Sequence, residues 1–186
     1  MKYRIRKTTI ADFDAIMEVE KQAFGYDKEA RLVAQLLADQ TAEPIISLLA
    51  FDGEEAIGHI LFTRAYFSGR EKSPMMHILA PLAVKPAYQR QGIGGMLIKE
   101  GLRLLQLMGS ELVFVLGHKE YYPKYGFTPY AAHLGYFPPH PMSEENEVYW
   151  MVQPIGKVGY GIGKSTVRCC DELNRPEHWR NEESDR

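Results

Sequence analysis

A long amphipathic helix stands between two very apolar segments in the middle of the sequence. Met76 to Val84 is almost wholly apolar, and Leu112 to Leu116 is an uninterrupted apolar run, as expected of a strand covered on both faces. Gly92 to Met108 places apolar side chains at helical spacing along one stripe, which predicts an amphipathic helix. Because apolar strands must be buried, these three segments predict a sheet with at least one helix packed on it.

The rest of the hydrophobic pattern predicts further strands and helices. Tyr3 to Arg6 alternates apolar and charged residues, as a half-buried edge strand does. Thr9 and Asp12 supply a capping hydroxyl and an acid at the start of a helix that ends near Gly25. The other predicted elements are a helix at Lys28–Leu37, a hairpin of Ile45–Phe51 and Ala56–Phe67 around Asp52-Gly53, a short helix at Lys119–Tyr125 and a strand at Glu147–Val152. The predicted fold class is α/β, with a mixed sheet flanked by helices on both faces.

Length and composition limit the architecture and the partners. The 186 residues favour one domain, residues 1–155, followed by an extension at 156–186 that is too short to fold alone. A formal net charge of −2 does not favour binding to nucleic acid or to an anionic membrane surface. The two cysteines, Cys169 and Cys170, are adjacent, which favours a reducing compartment over a disulfide framework or a structural zinc site. The sequence indicates a cytoplasmic protein with no signal peptide and no membrane span.

The loop before the long helix carries three glycines at the point where the helix begins. Gly92, Gly94 and Gly95 let the backbone approach a ligand closely, and the first amides of a helix have no intrahelical acceptor. Together with the helix dipole, such amides suit an anion such as a pyrophosphate. Glycines at a helix start are also common for structural reasons, and the third glycine of the dinucleotide fingerprint would fall at Leu97. The basic residues that could add positive charge there are Arg90, Lys85 and Arg103.

Two segments resemble motifs of the GNAT superfamily of N-acetyltransferases. Gln89-Arg90-Gln91-Gly92-Ile93-Gly94 matches its Q/R-x-x-G-x-G/A motif, after an apolar strand and at the start of the long helix. Tyr122-Pro123-Lys124-Tyr125-Gly126-Phe127 is similar to its Y-x-x-x-G-F helix end, at the expected separation from the first motif. The resemblance covers about residues 3–130 and extends to predicted small bacterial acetyltransferases of this superfamily.

The resemblance implies acetyl-CoA (coenzyme A) as a co-substrate and no metal. The strands at 77–84 and 112–117 would be parallel neighbours that splay apart at one end, so that the pantetheine arm pairs with the freed backbone. The amides at the helix start would hold the pyrophosphate, together with the side chains of Gln89 and Arg90. The cofactor-binding residues implied in this way are Leu82, Ala83, Val84, Gln89, Arg90, Gln91, Gly92, Ile93, Gly94 and Gly95.

The implied reaction is direct attack of a primary amine, on a small molecule or a peptide, on the acetyl thioester. The amine must lose a proton, the oxyanion needs a donor such as the amide near Leu82, and the departing thiolate benefits from an acid. Tyr122 matches the position where many members of the superfamily place that acid. A tyrosine at this position can also simply pack under the cofactor, and that alternative stays open.

The general base is where the sequence departs from the superfamily pattern. Many relatives use a glutamate on the fourth strand, but no Asp or Glu lies between Pro74 and Val84. His118, just after the fifth strand, is closer to the expected site than the strand histidine and joins Tyr122 as a catalytic candidate. The other candidate bases are His77, Glu20, Glu120 and a water chain to bulk solvent. The acceptor pocket is expected around Phe24 and Tyr26 and around His133 to Phe137.

Two other interpretations stay open on the sequence alone. A chain that keeps acyl-CoA binding but has lost its base would be a non-catalytic regulatory module. Gly161 to Thr166 resembles a nucleotide-binding P-loop, although the first glycine of that motif would fall at Val158. A homodimer is a possibility by analogy with relatives.

Overall fold

The computed structural model describes residues 2–180 as strands and α-helices joined by loops and short 3-10 turns. The elements in chain order are β1 (Tyr3–Lys7), α1 (Phe13–Phe24), α2 (Lys28–Ala38), β2 (Ile46–Asp52), β3 (Glu55–Phe67), β4 (Met76–Val84), α3 (Ile93–Met108), β5 (Leu112–Leu116), β6 (Tyr136–Phe137), β7 (Trp150–Pro154) and β8 (Ser165–Arg168). Residues 181–186, the end of the predicted extension, lie outside the described residues. Within residues 2–180, every helix is too short or too polar to cross a bilayer.

Six of these strands form a continuous sheet in the order β1-β2-β3-β4-β5-β7. β1 lies at one edge, as predicted, and pairs with β2 from Tyr3–Asp52 to Lys7–Leu48. Neighbouring strands on this path are antiparallel, except that β4 and β5 run parallel. A parallel pair needs a crossover connection, and α3 supplies it between β4 and β5. The predicted α/β class with a mixed sheet is confirmed.

Different helices cover the two faces of the sheet. The helices α1 and α2 pack in one apolar cluster and α3 packs in a second one. Neighbouring residues of β3 show this division, because Leu61 belongs to the α1–α2 cluster and Ile60 to the α3 cluster. The bidentate contact of Arg6 with Asp12, at 2.8 and 2.9 Å, ties β1 to the start of α1. The apolar runs in the sequence are thus buried from both sides of one sheet.

Two predicted elements near the C-terminal half are corrected by the structure. The last strand of the sheet begins at Trp150, because residues 144–149 form a 3-10 segment with exposed glutamates at its start. Glutamate and asparagine disfavour a strand, so the strand forms only after them. The predicted helix at Lys119–Tyr125 is a turn that leads into a 3-10 segment at Tyr122–Tyr125.

The described part of the C-terminal extension packs into the core. β8 pairs with β3 through Tyr66–Arg168 and Phe67–Val167, and Cys169 and Cys170 are buried in the α1–α2 cluster. Lys164 is followed by the strand β8, whereas a P-loop needs a helix whose N-terminus meets the phosphates. The P-loop interpretation is therefore wrong. The predicted division at residue 155 stays a prediction.

Candidate active site

A cavity of about 590 Å³ opens where β4 and β5 separate, in front of the start of α3. The residues assigned from the sequence that line it are Leu82, Val84, Gln89, Arg90, Gly92, Ile93, Gly94, Gly95, His118 and Tyr122. Two assigned side chains lie outside its wall. Ala83 belongs to the cluster on the α1 side of the sheet, and the Gln91 amide accepts from the Tyr3 hydroxyl at 2.6 Å and donates to the Ala87 carbonyl at 3.1 Å.

The separation of β4 from β5 has a local cause in β4. Met76 to Leu79 pair in parallel with Leu112 to Val115, and the β4–β5 ladder ends there. On the other side of β4, Phe62 opposes Leu79 but Ile60 opposes Leu82, so β4 carries one extra residue at this point. Such a bulge bends its strand, and Pro81 within it has no N–H to give to a ladder. The second half of β4 is paired with β3 alone, and its groups on the β5 side are open to the cavity.

The first turn of α3 presents free amides to the same cavity. Gly92 has φ 83°, a conformation that suits glycine, and its carbonyl accepts the Met96 N–H at 3.0 Å. The N–H groups before Met96 belong to the first turn, whose amides have no acceptor within a helix. Arg90 also adopts a positive φ of 58°, so the loop curls immediately before the helix. These amides and the positive end of the helix dipole favour an anion in the cavity.

Tyrosine side chains explain why this turn contains glycines. A Cβ on Gly94 would collide with the Tyr121 hydroxyl, and a Cβ on Gly95 would lie 2.5 Å from the Tyr125 hydroxyl and 2.7 Å from its ring. Both tyrosines line the cavity, although the sequence analysis gave neither of them a role in the site. The absence of side chains at Gly94 and Gly95 thus lets Tyr121 and Tyr125 pack against the first turn of α3, and it also leaves the backbone of that turn uncovered.

The cations predicted to lie near the helix start are only partly in place. Arg90 is exposed and lines the cavity. Lys85 is buried instead, with its ammonium 3.2 Å from Glu55, and Arg103 forms a bidentate pair with Glu100 at 2.7 and 2.9 Å. Lys85 and Arg103 are therefore engaged by carboxylates, and the prediction that they supply charge to the site is wrong.

Tyr122 begins the 3-10 segment that follows β5, and it lines the cavity. Its ring lies against the backbone of Gly117, where a Cβ would overlap the ring, and packs edge-on against Phe127 at 5.7 Å between centroids. The residue is 9% exposed, and burial raises its pKa above the usual range for tyrosine. The hydroxyl therefore stays protonated at neutral pH and can act as a hydrogen-bond donor.

The candidate bases differ sharply in where they lie. His118 and Glu120 are both exposed, but only His118 is among the residues that line the cavity. His77 is fully buried, with Nε2 2.8 Å from the Pro44 carbonyl and Nδ1 2.9 Å from the Ser110 hydroxyl. Burial lowers the pKa of His77 to about 4, so it is a neutral structural histidine and the suggestion that it is the base is wrong.

The predicted acceptor pocket is also only partly assembled. Phe24, at the end of α1, lines the cavity. His133 bonds Glu147 at 2.8 Å, and Tyr136 is fully buried in the core, so the segment around them points elsewhere. Tyr88 lines the cavity and was missed by the sequence analysis, although its place inside the motif loop was a usable signal.

The family of the chain follows from comparison with known proteins. A family profile described as "Acetyltransferase (GNAT) domain" matches residues 4–130. The chain therefore belongs to the GNAT family of N-acetyltransferases, and the resemblance seen in its motifs is confirmed.

Individual relatives support the same assignment. The chain is 51% identical over 169 residues to "Uncharacterized N-acetyltransferase YjhQ" of Escherichia coli K12, a match covering 88% of this chain and 90% of the relative. The crystal structure of the GNAT family N-acetyltransferase YhbS of Escherichia coli in complex with CoA has a TM-score of 0.82 and 27% identity, over 94% of this chain and 93% of that one. A GNAT family acetyltransferase from Brucella melitensis, in complex with acetyl-CoA, has a TM-score of 0.72 and 28% identity, over 92% of this chain and 97% of that one.

Proposed function

We propose that this N-acetyltransferase binds acetyl-CoA in the cavity between β4 and β5 and transfers its acetyl group to a primary amine of a small molecule or a peptide. The observation that carries the proposal is the open half of β4, which runs into a loop and then into the free amides of α3. The complexes of YhbS with CoA and of the Brucella protein with acetyl-CoA support it, because both proteins share the fold over most of this chain.

The proposed binding mode gives each part of the cofactor a different partner. The pantetheine arm lies along Leu82 to Val84 and pairs with backbone groups that β5 leaves free, as an added strand would. The pyrophosphate meets the amides of Gln91 to Gly95 at the start of α3, with Arg90 beside it. The Gln89 side chain donates to the Val84 carbonyl at 3.1 Å and holds the loop against the end of β4.

The proposed chemistry is one acyl transfer without a covalent enzyme intermediate. The neutral amine attacks the thioester carbonyl carbon, the C–N bond forms, and the oxyanion accepts a hydrogen bond from the backbone amide near Leu82. The C–S bond then breaks, and Tyr122 donates a hydrogen bond to the departing thiolate, which ends as the CoA thiol. His118, exposed at the cavity, is the candidate that exchanges protons between the site and solvent.

Two measurements test this function. Calorimetry should show saturable binding of acetyl-CoA, and release of CoA should accelerate when a panel of primary amines is added. Binding without release for any amine would instead favour the non-catalytic acyl-CoA-binding module. That alternative has one observation in its favour, since β4 contains no carboxylate to act as a base. The sequence-based expectations of a cytoplasmic location and a homodimer stay predictions.

A further inference from the structure

A second cavity, of about 380 Å³, lies on the face of the sheet that α1 and α2 cover. Its lining includes Ile78 and Ala80 of β4, Leu116 of β5 and Leu32 of α2. Ile78 belongs to the α1–α2 cluster, and Ala80 and Leu32 pack against it. The cavity proposed for acetyl-CoA is bounded by the start of α3 instead, so the second cavity approaches the sheet from the other face.

Both cavities border the place where β4 and β5 separate. The ladder between these strands ends at Leu79 on β4. Ala80 and Leu116, the next position on each strand, line the second cavity, whereas Leu82 and His118 line the first. The gap between the two strands therefore has one cavity on each side.

The outer wall of the second cavity comes from the C-terminal segment, through Leu173 and residues 177–180. This segment lies beyond residues 4–130, which the family profile matches, so the wall is an addition of this chain to the matched domain. Leu173 is 4% exposed, and its carbonyl accepts the Trp179 indole N–H at 2.7 Å. The Trp179 ring also packs edge-on against the buried Trp150, at 5.6 Å between centroids. A wall that is ordered before the ligand arrives lowers the entropic cost of binding.

The charges around the second cavity balance one another. Among residues 2–180, the titratable groups of its wall are two carboxylates, two cations and one imidazole: Glu29, Glu177, Lys28, Arg180 and His178. A polycationic acceptor would need an excess of carboxylates, and an acidic acceptor would need an excess of cations. This wall therefore favours a ligand whose body carries no charge.

The other lining residues and the size of the cavity suit a small apolar ligand. Apart from the charged groups and His178, the lining side chains between residues 2 and 180 are aliphatic, except for the indole of Trp179. Burying apolar surface is favourable by about 25 cal/mol per Å². The volume of about 380 Å³ lies near the lower end of the range of small-molecule sites, which is roughly 300–1,000 Å³.

We propose that the second cavity receives the acceptor, that the acceptor is a small primary amine with an uncharged apolar or aromatic body, and that Trp179 selects it. The inference rests on the proposed acetyl transfer, because it needs a thioester in the gap between β4 and β5. The amine points into the gap beside Ala80 and Leu116, and its body lies against the apolar wall. The apolar surroundings favour the neutral amine, which is the form that attacks.

The transfer step keeps the balance of the proposed function. The C–N bond forms as the C–S bond breaks. One proton of the acceptor's ammonium passes to solvent and a second ends on the thiolate, so the products are the acetamide, the CoA thiol and one released proton.

The first test is a panel of amines that differ in one property from 2-phenylethylamine. Ethylamine lacks the ring, phenylalanine adds a carboxylate, spermidine carries further ammonium groups, and a short lysine-containing peptide adds a backbone. We expect kcat/KM for 2-phenylethylamine to exceed that for each of the others by at least about 10-fold. A higher value for any other member would overturn the assigned acceptor class while leaving acetyl transfer intact.

The second test removes the selecting ring. Trp179→Ala should lower kcat/KM for 2-phenylethylamine about 10-fold to 30-fold, mostly through KM, with the ethylamine value and the acetyl-CoA Kd within about threefold of wild type. Trp179→Phe should recover most of the loss. If Trp179→Ala does not fold, Leu116→Trp decides, because Leu116 is 39% exposed and a larger ring there fills the cavity. It should cause the same selective loss.

The matched control is Leu107→Trp, the same substitution on α3. Leu107 is 73% exposed and is not among the residues that line either cavity, so both amines should keep their wild-type kinetics. Equal losses for 2-phenylethylamine and ethylamine in Trp179→Ala or Leu116→Trp would overturn the selecting role. A wild-type protein that binds acetyl-CoA but acetylates no amine would overturn the proposed function as well, so the wild-type assay distinguishes the two failures.

Discussion

The two halves of β4 are both apolar, yet they have different partners. Met76 to Leu79 is paired with strands on both sides, whereas Leu82 to Val84 is paired with β3 alone, and Leu82 and Val84 line the cavity. The bulge and Pro81 lie at the boundary between the halves. Hydrophobicity therefore predicts that a segment is a buried strand, but the neighbouring strands decide whether its backbone groups are paired on both sides or left open on one side.

The two buried histidines repeat the contrast. His77 belongs to the paired half, and both of its ring nitrogens are occupied by neutral groups. His59 faces the open half and binds a carboxylate that keeps an unused oxygen. Two equally buried histidines thus differ in their partners: His77 is hydrogen-bonded to neutral groups, and His59 is hydrogen-bonded to the ionisable carboxyl group of Glu20.

The largest expected effect concerns the paired half and the pH dependence of stability. The pKa of His77 is about 4 when folded and near 6.5 when unfolded, so between these values the unfolded chain binds the extra proton. The free energy of unfolding should fall by roughly 1.4 kcal/mol per unit as pH drops from 6.5 towards 4, about 3 kcal/mol in total. Urea unfolding of wild type and His77→Gln across this range measures it. Parallel pH curves for the two proteins would contradict the assignment.

The next effect concerns the open half, where a methyl group on Gly94 must displace the Tyr121 hydroxyl from the first turn of α3. Gly94→Ala should weaken acetyl-CoA binding about 100-fold, or about 2.7 kcal/mol, as measured by calorimetry. Gly161→Ala is the matched control, because its Cβ would meet only a Val158 methyl at 3.1 Å. An unchanged Kd for Gly94→Ala would mean that this turn does not hold the cofactor.

A smaller effect is expected at Tyr122, the proposed hydrogen-bond donor to the thiolate. Tyr122→Phe should lower kcat about 10-fold to 30-fold with the acetyl-CoA Kd nearly unchanged, because it removes one donor to the thiolate and keeps the ring on Gly117. Steady-state kinetics with a single amine measures it. Tyr66→Phe, whose hydroxyl donates to the Thr41 carbonyl at 2.7 Å, should leave kcat unchanged. Wild-type turnover in Tyr122→Phe would reduce Tyr122 to a packing residue.

The smallest effect is expected at the exposed cation of the cavity. Arg90→Gln should raise the acetyl-CoA Kd about threefold to fivefold, because exposed charge contacts are weakened by water. The loss should shrink as salt is added, since the wild-type contact is screened. Arg103→Gln serves as the control, because Arg103 is engaged by Glu100. Equal losses in the two variants would show that net charge, and not Arg90, sets the affinity.

Local patterns predicted most elements of the fold and the centre of the site. The hairpin, the long helix and the two apolar strands lie close to their predicted bounds. The motif residues from Gln89 to Gly95, except Gln91, line one cavity together with Tyr122 and His118. These features depend on residues near one another in sequence or on a motif with fixed spacing. The last strand of the sheet shows the limit of such local patterns. It was predicted to begin at Glu147, but Glu147 to Tyr149 belong to a 3-10 segment and the strand begins at Trp150.

By itself the sequence determined the α/β class, the family motifs and the absence of an acid on the fourth strand. Only the tertiary structure decided which polar side chains meet, since Glu20 and His59 are 39 positions apart and His77 and Ser110 are 33 apart. Their contacts depend on how α1 crosses the sheet and on strand register. No periodicity within a single segment encodes either quantity, because both arise from packing the two faces of the sheet at once.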